Sequence, residues 1–330
     1  MKSDCRPEID SRDTWMTHVL AIVGPTASGK TALSILLAEK LRGEIISADS
    51  RQIYKFLNIG TAKLTSEDLH HVRHHFIDIL DPDQDYNAAE YGQQARKKIE
   101  ELLKQGIQPI IVGGSGLYVR AIIDGFFQGP GKDSEIREQL EKEARKFGAE
   151  MLFDKLKRID PVSAAKMDAS KVRRVIRALE VYYTTGKQIS DLHSTQETSA
   201  PFEVLQYALE WERKTLYDHI NHRIDEMMDK GLVEEVRELK TRGYLSDMNA
   251  LNTVGYKETF DFIEGKLTKE EMVRLIKQNT RRFAKRQLTW FRADKRIRWI
   301  SVNERTNWNE VAEMIQKEFQ TAQKNASSLN

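Results

Sequence analysis

Cysteine is almost absent: Cys5 is the only one in 330 residues. A single thiol forms no intramolecular disulfide, and a zinc site built on paired cysteines is excluded. No apolar run approaches the roughly 20 residues of a membrane-spanning helix. The first fifteen residues are charged and lack the apolar stretch of a signal peptide, so the cytoplasm is the expected compartment. Net charge is also small, 52 basic against 50 acidic residues for +2. The total therefore does not announce a nucleic acid, and any basic surface must come from local clustering. Repeats and low-complexity segments are lacking too. What remains, 40% hydrophobic and 31% charged residues, suits a globular chain of one to two domains.

The strongest positive signal is Gly24-Pro25-Thr26-Ala27-Ser28-Gly29-Lys30-Thr31, between the apolar run His18 to Val23 and the helical pattern Ala32 to Ala38. This reads as strand, phosphate loop and helix. The spacing lets successive backbone N–H groups and the helix N-terminus point at one phosphate chain, with Lys30 reaching its oxygens. Thr31 places a hydroxyl where a phosphate-bound Mg²⁺ would sit.

Residues Met1 to about Met16 read as a leader without structure. After the first helix, Gly43 to Ser47 reads as a short strand running into polar Ala48 to Tyr54. Residues just past the carboxyl end of a strand face the ligand crevice in an open α/β sheet, so Asp49 is expected near the phosphate loop. It serves there as a chemical group or only as the cap of a turn. His70 to Pro82 holds four of the eight histidines. No cysteine or carboxylate cluster completes a ligand set around them, which favours a packed or phosphate-facing loop. A helix opening at Tyr86 to Ala88 ends at Gln105-Gly106, and a strand from Pro109 follows. Where an ATP-hydrolysing P-loop protein carries an aspartate that helps hold Mg²⁺, Gly113 stands. Asp78 is a candidate substitute but reads as mid-strand. The glycines suggest close approach to the backbone, with Ser115 exposed at the rim.

From Gln128-Gly129-Pro130-Gly131 onward, charged amphipathic helices follow one another without a strand signal. The expected fold is α/β: a parallel sheet of P-loop NTPase type flanked by helices over 17–128 and 202–305. An all-helical domain is inserted over 129–201, and a C-terminal helix and polar tail occupy 306–330. Within the insertion, Val172, Val175, Ile176 and Leu179 fall on one helical face flanked by Arg173, Arg174 and Arg177. Phe202 to Trp211 reads as a return strand, and Leu216 to Lys230 as a helix carrying His219, His222 and Arg223. Asn252 to Lys257 reads as a polar turn. The next helix has the densest charge, with Arg274, Lys277, Arg281, Arg282, Lys285, Arg286 and Arg292 interleaved with Phe283, Trp290 and Phe291. That is the footprint expected for a nucleic-acid backbone with a single-stranded base nearby. A strand from Ile297 to Val302 follows.

Eight segments carry a resemblance. They are GPTASGKT at Gly24 to Thr31, ADSRQIY at Ala48 to Tyr54, IGTAK at Ile59 to Lys63, HHFIDI at His74 to Ile79, VGGSGLY at Val112 to Tyr118, RRVIRALEV at Arg173 to Val181, TVGYKE at Thr253 to Glu258 and KRQLTWFR at Lys285 to Arg292. From about Val19 to Val302 the chain resembles the bacterial tRNA dimethylallyltransferases. The resemblance implies transfer of a dimethylallyl group from dimethylallyl diphosphate to N6 of adenosine 37, 3′ of the anticodon, in tRNAs that read codons beginning with U. It accounts for the missing aspartate, since no γ-phosphoryl is transferred.

The resemblance further implies that Gly24 to Thr31, with Pro25, Thr26, Ala27, Ser28, Gly29 and Lys30 between them, hold the diphosphate. Thr26 and Arg223 would assist it, Thr31 would meet Mg²⁺, and Asp49 would be the general base. Members of the family often carry a second arginine one turn after Arg223, where this chain has Met227. The flipped adenosine would be gripped by Asp49, Ser50, Arg51 and Gln52 and approached by Ser115. The anticodon stem-loop would be held by Arg137, by Arg173, Arg174, Val175, Ile176 and Arg177, and by Asn252, Thr253, Val254, Gly255, Tyr256 and Lys257. Lys285, Arg286, Gln287, Leu288, Thr289, Trp290, Phe291 and Arg292 complete that set. All these contacts come from one chain, which implies a monomer. Three alternatives stay open from the residues: prenyl transfer to free adenine nucleotides, an ATP-dependent small-molecule kinase, and a non-catalytic RNA-binding module.

Overall fold

A computed structural model describes residues 18–64, 71–126, 129–195 and 200–327. The leader with Cys5, His70 and the junction near Thr198 lie outside the described residues. Six strands, β1 (His18–Val23), β2 (Gly43–Ser47), β3 (His74–His75), β4 (Gln108–Gly113), β5 (Glu203–Glu210) and β6 (Ile297–Ser301), form one sheet in the order β3-β2-β4-β1-β5-β6. Every pairing is parallel. Such sheets are covered on both faces, so their strands read as unbroken apolar runs. β1 is buried throughout; Val19, Ala21 and Val23 face one core, and Leu20 and Ile22 the other.

Helices α1 (Lys30–Leu41), α2 (Ala88–Lys104) and α3 (Gly116–Ile123) come first. Then follow α4 (Ser134–Phe147), α5 (Ala149–Ile159), α6 (Pro161–Ala164), α7 (Val172–Thr185) and α8 (Ile189–Thr195). After β5 come α9 (Arg213–Asp229), α10 (Leu232–Thr241), α11 (Tyr256–Ile263) and α12 (Lys269–Ala293), and α13 (Trp308–Ser327) follows β6. α1 and α13 cover the Leu20 face, while α2, α10, α11 and α12 supply the other core.

The chain divides into two compact units, one of residues up to Ile123 and from Ala200, the other Asp124–Ser199. The helical unit begins before the expected Gly129 and ends before Pro201, because Ala200 N–H already donates to the Ile123 carbonyl at 3.3 Å. Inside it, Leu140, Leu152, Leu156, Val175, Ile176 and Leu179 form the core. Val175 and Ile176, expected from the resemblance among the RNA contacts, are 1% and 5% exposed and pack in this core. The Glu180 carboxylate, fully buried, accepts from Arg137 at 2.7 Å, Arg177 at 3.0 Å and the Asp133 N–H at 2.9 Å. Arg173 and Arg174 stay exposed.

The C-terminal helix expected within 306–330 is α13, and it is a layer of the core: Ala312, Ile315 and Phe319, at helical spacing, are fully buried with Leu33 and Leu37 of α1. One further expectation is corrected. Asn252 to Lys257 is only partly a turn, since Gly255 caps α11 and Tyr256 begins it.

Candidate active site

At the carboxyl end of β1 the phosphate loop takes the backbone that its sequence requires. Gly29 has φ +89°, and a Cβ there would also stand 2.9 Å from the Trp308 ring. Trp211 donates its indole N–H to the Ser28 carbonyl at 2.9 Å, and the Ser28 hydroxyl donates to the Pro25 carbonyl at 2.9 Å. Gln287, reaching in from α12, accepts from the Thr26 N–H at 3.0 Å and donates to the Gly114 carbonyl at 2.8 Å. One buried amide therefore fastens the phosphate loop to the end of β4. Gln287, expected from the resemblance as an RNA contact, also lines the cavity.

Lys30 donates to the Pro25 carbonyl. Burial, with Arg223 adding to it and Asp49 opposing, pulls its ammonium down to about 7. Arg223 donates to the Thr26 hydroxyl at 3.3 Å, and burial lowers its pKa as well. Two crowded cations and aligned N–H groups make an anion site. Thr31 is exposed and lines the same cavity. Among the described residues no group of three or more His, Cys, Asp or Glu could hold a metal ion. A hydroxyl without a carboxylate cage fits Mg²⁺ carried on phosphate oxygens with waters completing its shell.

Past the end of β2, Asp49 Oδ1 accepts from the Arg51 N–H at 2.8 Å and the Gln52 N–H at 3.3 Å. The carboxylate thus caps a turn and also lines the cavity with Lys30 and Arg223. Ser115 ties this turn to β4: its hydroxyl accepts from the Ser50 N–H at 3.0 Å, and its N–H donates to the Ala48 carbonyl at 3.2 Å. Arg51 donates to the Asn249 carbonyl, and the Gln52 amide to the Thr61 and Ala62 carbonyls at 3.1 and 3.4 Å. Gly113 occupies the expected aspartate position because a Cβ there would run into the Ala48 carbonyl. Gly113→Ala is expected to destabilise the fold by about 1–3 kcal/mol or more, read as a lower denaturant midpoint. Asp78 is not mid-strand. It lies in a bend after β3, paired with Lys63 at 2.5 Å, and is not among the cavity residues.

The cavity, of about 260 Å³, is closed by an apolar wall of Ile220, Ile224, Met227, Val254 and Ile276, with Phe283 partly exposed. Composition alone did not point to this wall. The i, i+4, i+7 spacing of Ile220, Ile224 and Met227 beside Arg223 was a usable signal. Thr253 and Gly255 also line the cavity, whereas Asn252 and Lys257 are exposed. Tyr256 and Phe291 are 0% and 2% exposed, so neither is a surface contact. On α12, Lys285, Arg286, Thr289, Trp290 and Arg292 are exposed and Leu288 is half-buried. Arg281, Lys277 and Arg292 are partnered by Asn221 at 2.6 Å, Asp225 at 2.6 Å and Glu210 at 3.0 Å. The basic face is therefore narrower than the sequence suggested.

A phosphate loop, a carboxylate and an apolar wall in one cavity, without a Walker-type aspartate, call for comparison with known proteins. A family model described as IPP transferase matches residues 52–294. The tRNA dimethylallyltransferase of Pelotomaculum thermopropionicum is 49% identical over 280 residues, covering 84% of this chain and 89% of the relative. That of Bacillus cereus strain AH187 is 44% identical over 309 residues, covering 93% and 97%. Among solved structures, the tRNA isopentenylpyrophosphate transferase of Bacillus halodurans superimposes with TM-score 0.69 at 39% identity, covering 95% of this chain and 99% of that one. A eukaryotic dimethylallyltransferase acting on tRNA gives TM-score 0.80 at 26% identity, covering 93% and 80%. The family model spans more than half of the chain and the relatives match over most of both partners, so the chain belongs to the IPP transferase family.

Proposed function

We propose that the protein transfers a dimethylallyl group from dimethylallyl diphosphate to N6 of adenosine 37 in tRNAs that read codons beginning with U, releasing diphosphate. The observation that carries this reading is the single cavity in which Lys30, Thr26 and Arg223 gather beside Asp49 against the wall of Ile220, Ile224, Met227 and Ile276. The relatives named tRNA dimethylallyltransferase support it.

The N6 lone pair attacks the allylic carbon, the C–O bond breaks, and its electron pair leaves with the diphosphate. Aligned N–H groups, Lys30 and Arg223 stabilise the charge that builds on the departing oxygens, where preorganised donors are worth most. The Thr31 hydroxyl would hold Mg²⁺, which would supply further neutralisation of that charge when bound. Asp49, held through Oδ1 by two backbone N–H groups, takes the N6 proton as the new bond forms. The apolar wall shelters the five-carbon chain from water. Arg173, Arg174, Lys285, Arg286 and Lys257, all exposed, supply the phosphate contacts of the anticodon stem-loop. Among the described residues no helix is long and apolar enough to cross a membrane. The reading places the reaction in the cytoplasm, with one chain sufficient for it.

The test is nucleoside mass analysis of unmodified tRNA bearing A36-A37 after incubation with the protein, Mg²⁺ and dimethylallyl diphosphate. A dimethylallyl gain at adenosine 37 is expected, and none with ATP as donor. Modification of free AMP but not of tRNA would overturn the acceptor.

A further inference from the structure

Part of the cavity wall is ordered by carboxylates that have no place in the transfer chemistry. Glu235, on α10, accepts four hydrogen bonds. Three come from the successive backbone N–H groups of Asn58 at 3.0 Å, Ile59 at 2.7 Å and Gly60 at 3.2 Å. The fourth comes from the Tyr256 hydroxyl at 2.6 Å. Consecutive N–H groups converging in this way form an anion nest, and here the anion is the protein's own side chain. The fit is close. A Cβ on Gly60 would stand 2.5 Å from the Tyr256 ring, which is itself fully buried.

The held loop leads to the chemistry. Residues 60 and 61 line the cavity, and the Thr61 and Ala62 carbonyls receive the Gln52 amide, whose own backbone N–H bonds Asp49 Oδ1. On the other side Tyr256 follows Gly255, whose N–H donates to Glu258 at 2.8 Å. Glu258 in turn accepts from Asn279 of α12 at 2.7 Å. Each link is a hydrogen bond to a buried or half-buried group, where leaving one partner unmade is costly.

We propose that Glu235 is a positioning residue for the transfer. By fixing residues 58–60 against Tyr256 it sets the loop that, through Gln52, aims the Asp49 carboxylate. This rests on the reading of Asp49 as the base.

Two variants test it. Glu235→Gln turns amide hydrogens toward groups that are themselves donors. Tyr256→Phe keeps the ring against Gly60 and removes only the hydroxyl. A displacement of about 1 Å in a reacting group costs on the order of a hundredfold in rate. That loss is expected in kcat on tRNA for Glu235→Gln, with a smaller loss in the same direction for Tyr256→Phe. The dissociation constant and stoichiometry for inorganic pyrophosphate, set by the phosphate loop, stay at the parent values. Single-turnover rates supply the readout that a merely stabilising residue would not move: in an Asp49→Ala background Glu235→Gln adds little further loss. Losses that multiply in the double variant, or pyrophosphate stoichiometry that falls in step with kcat, overturn the proposal. If Glu235→Gln does not fold, Tyr256→Phe decides by the same measurements. A parent protein that leaves tRNA unmodified would instead overturn the function itself.

Discussion

Asp49→Asn is expected to lower transfer to tRNA by about 10²–10⁴-fold, the range for removing a positioned general base. The variant is chosen for its geometry. Asparagine keeps an oxygen where Oδ1 accepts from the Arg51 and Gln52 N–H groups, so the turn past β2 survives while proton acceptance is lost. Removing the charge also removes the one partner that opposes the depression of Lys30 and the larger of two acidic influences on Arg223. The positive field over the phosphate loop is then less compensated, and inorganic pyrophosphate binds as tightly as to the parent or more tightly. Turnover and anion affinity therefore move in opposite directions. Single-turnover kinetics with calorimetry of pyrophosphate binding checks both, and a variant that keeps parent turnover removes Asp49 from the role of base.

Lys30→Met is expected to reduce transfer by about 10²–10³-fold, the cost of removing one preorganised donor to a developing anion, and to weaken pyrophosphate binding. Its effect on stability has the opposite sign. Lys30 sits near 7 in the folded protein against 10.5 when free, because burial beside Arg223 disfavours its charge. The unfolded chain therefore holds a proton that the folded one releases between those values. The penalty on folding is fully present below about 7 and fades as pH rises to 10.5. Methionine removes a destabilisation on the order of a few kcal/mol. The variant should melt above the parent at pH 7, with the gap closing towards pH 10. A gap independent of pH would contradict the depressed lysine.

The legibility of the site follows the range of the forces that build it. The phosphate loop could be read because its glycines answer a local backbone demand, and Asp49 because position past a strand end follows from sheet topology. Gly113 was visible as an anomaly, but its cause, the carbonyl of Ala48 just past the end of neighbouring β2, is a contact that no spacing encodes. Motif strings join inward and outward residues that the strings themselves do not separate. RRVIR joins exposed Arg173 and Arg174 to buried Val175 and Ile176, and TVGYK joins exposed Lys257 to buried Tyr256. In KRQLTWFR, Gln287 reads as one more polar residue of a basic helix, yet its amide is spent on Thr26 and Gly114. Glu235 was invisible because its partners, three backbone N–H groups and the Tyr256 hydroxyl, lie far away in the chain. α13 was readable in part, since Ala312, Ile315 and Phe319 keep helical spacing within a charged stretch.

The pairing of β1 with β5 has a consequence for how the chain assembles. Their register runs from His18 with Glu203 to Val23 with Ala208, yet three other strands and the whole helical unit lie between them in sequence. Contacts that distant make parallel sheets slow to form, because the loop must close before any pairing rewards it. The helices of 124–199 have a core of their own, and the Ala200 N–H to Ile123 carbonyl bond marks where their two ends meet. Once they collapse locally, the remaining loop is shorter by their full length. The entropic relief is only about half a kcal/mol, since closure cost grows with the logarithm of length. The insertion is therefore nearly neutral to the search by which the sheet finds its register, and the slow step stays with the long crossover from β4 to β5.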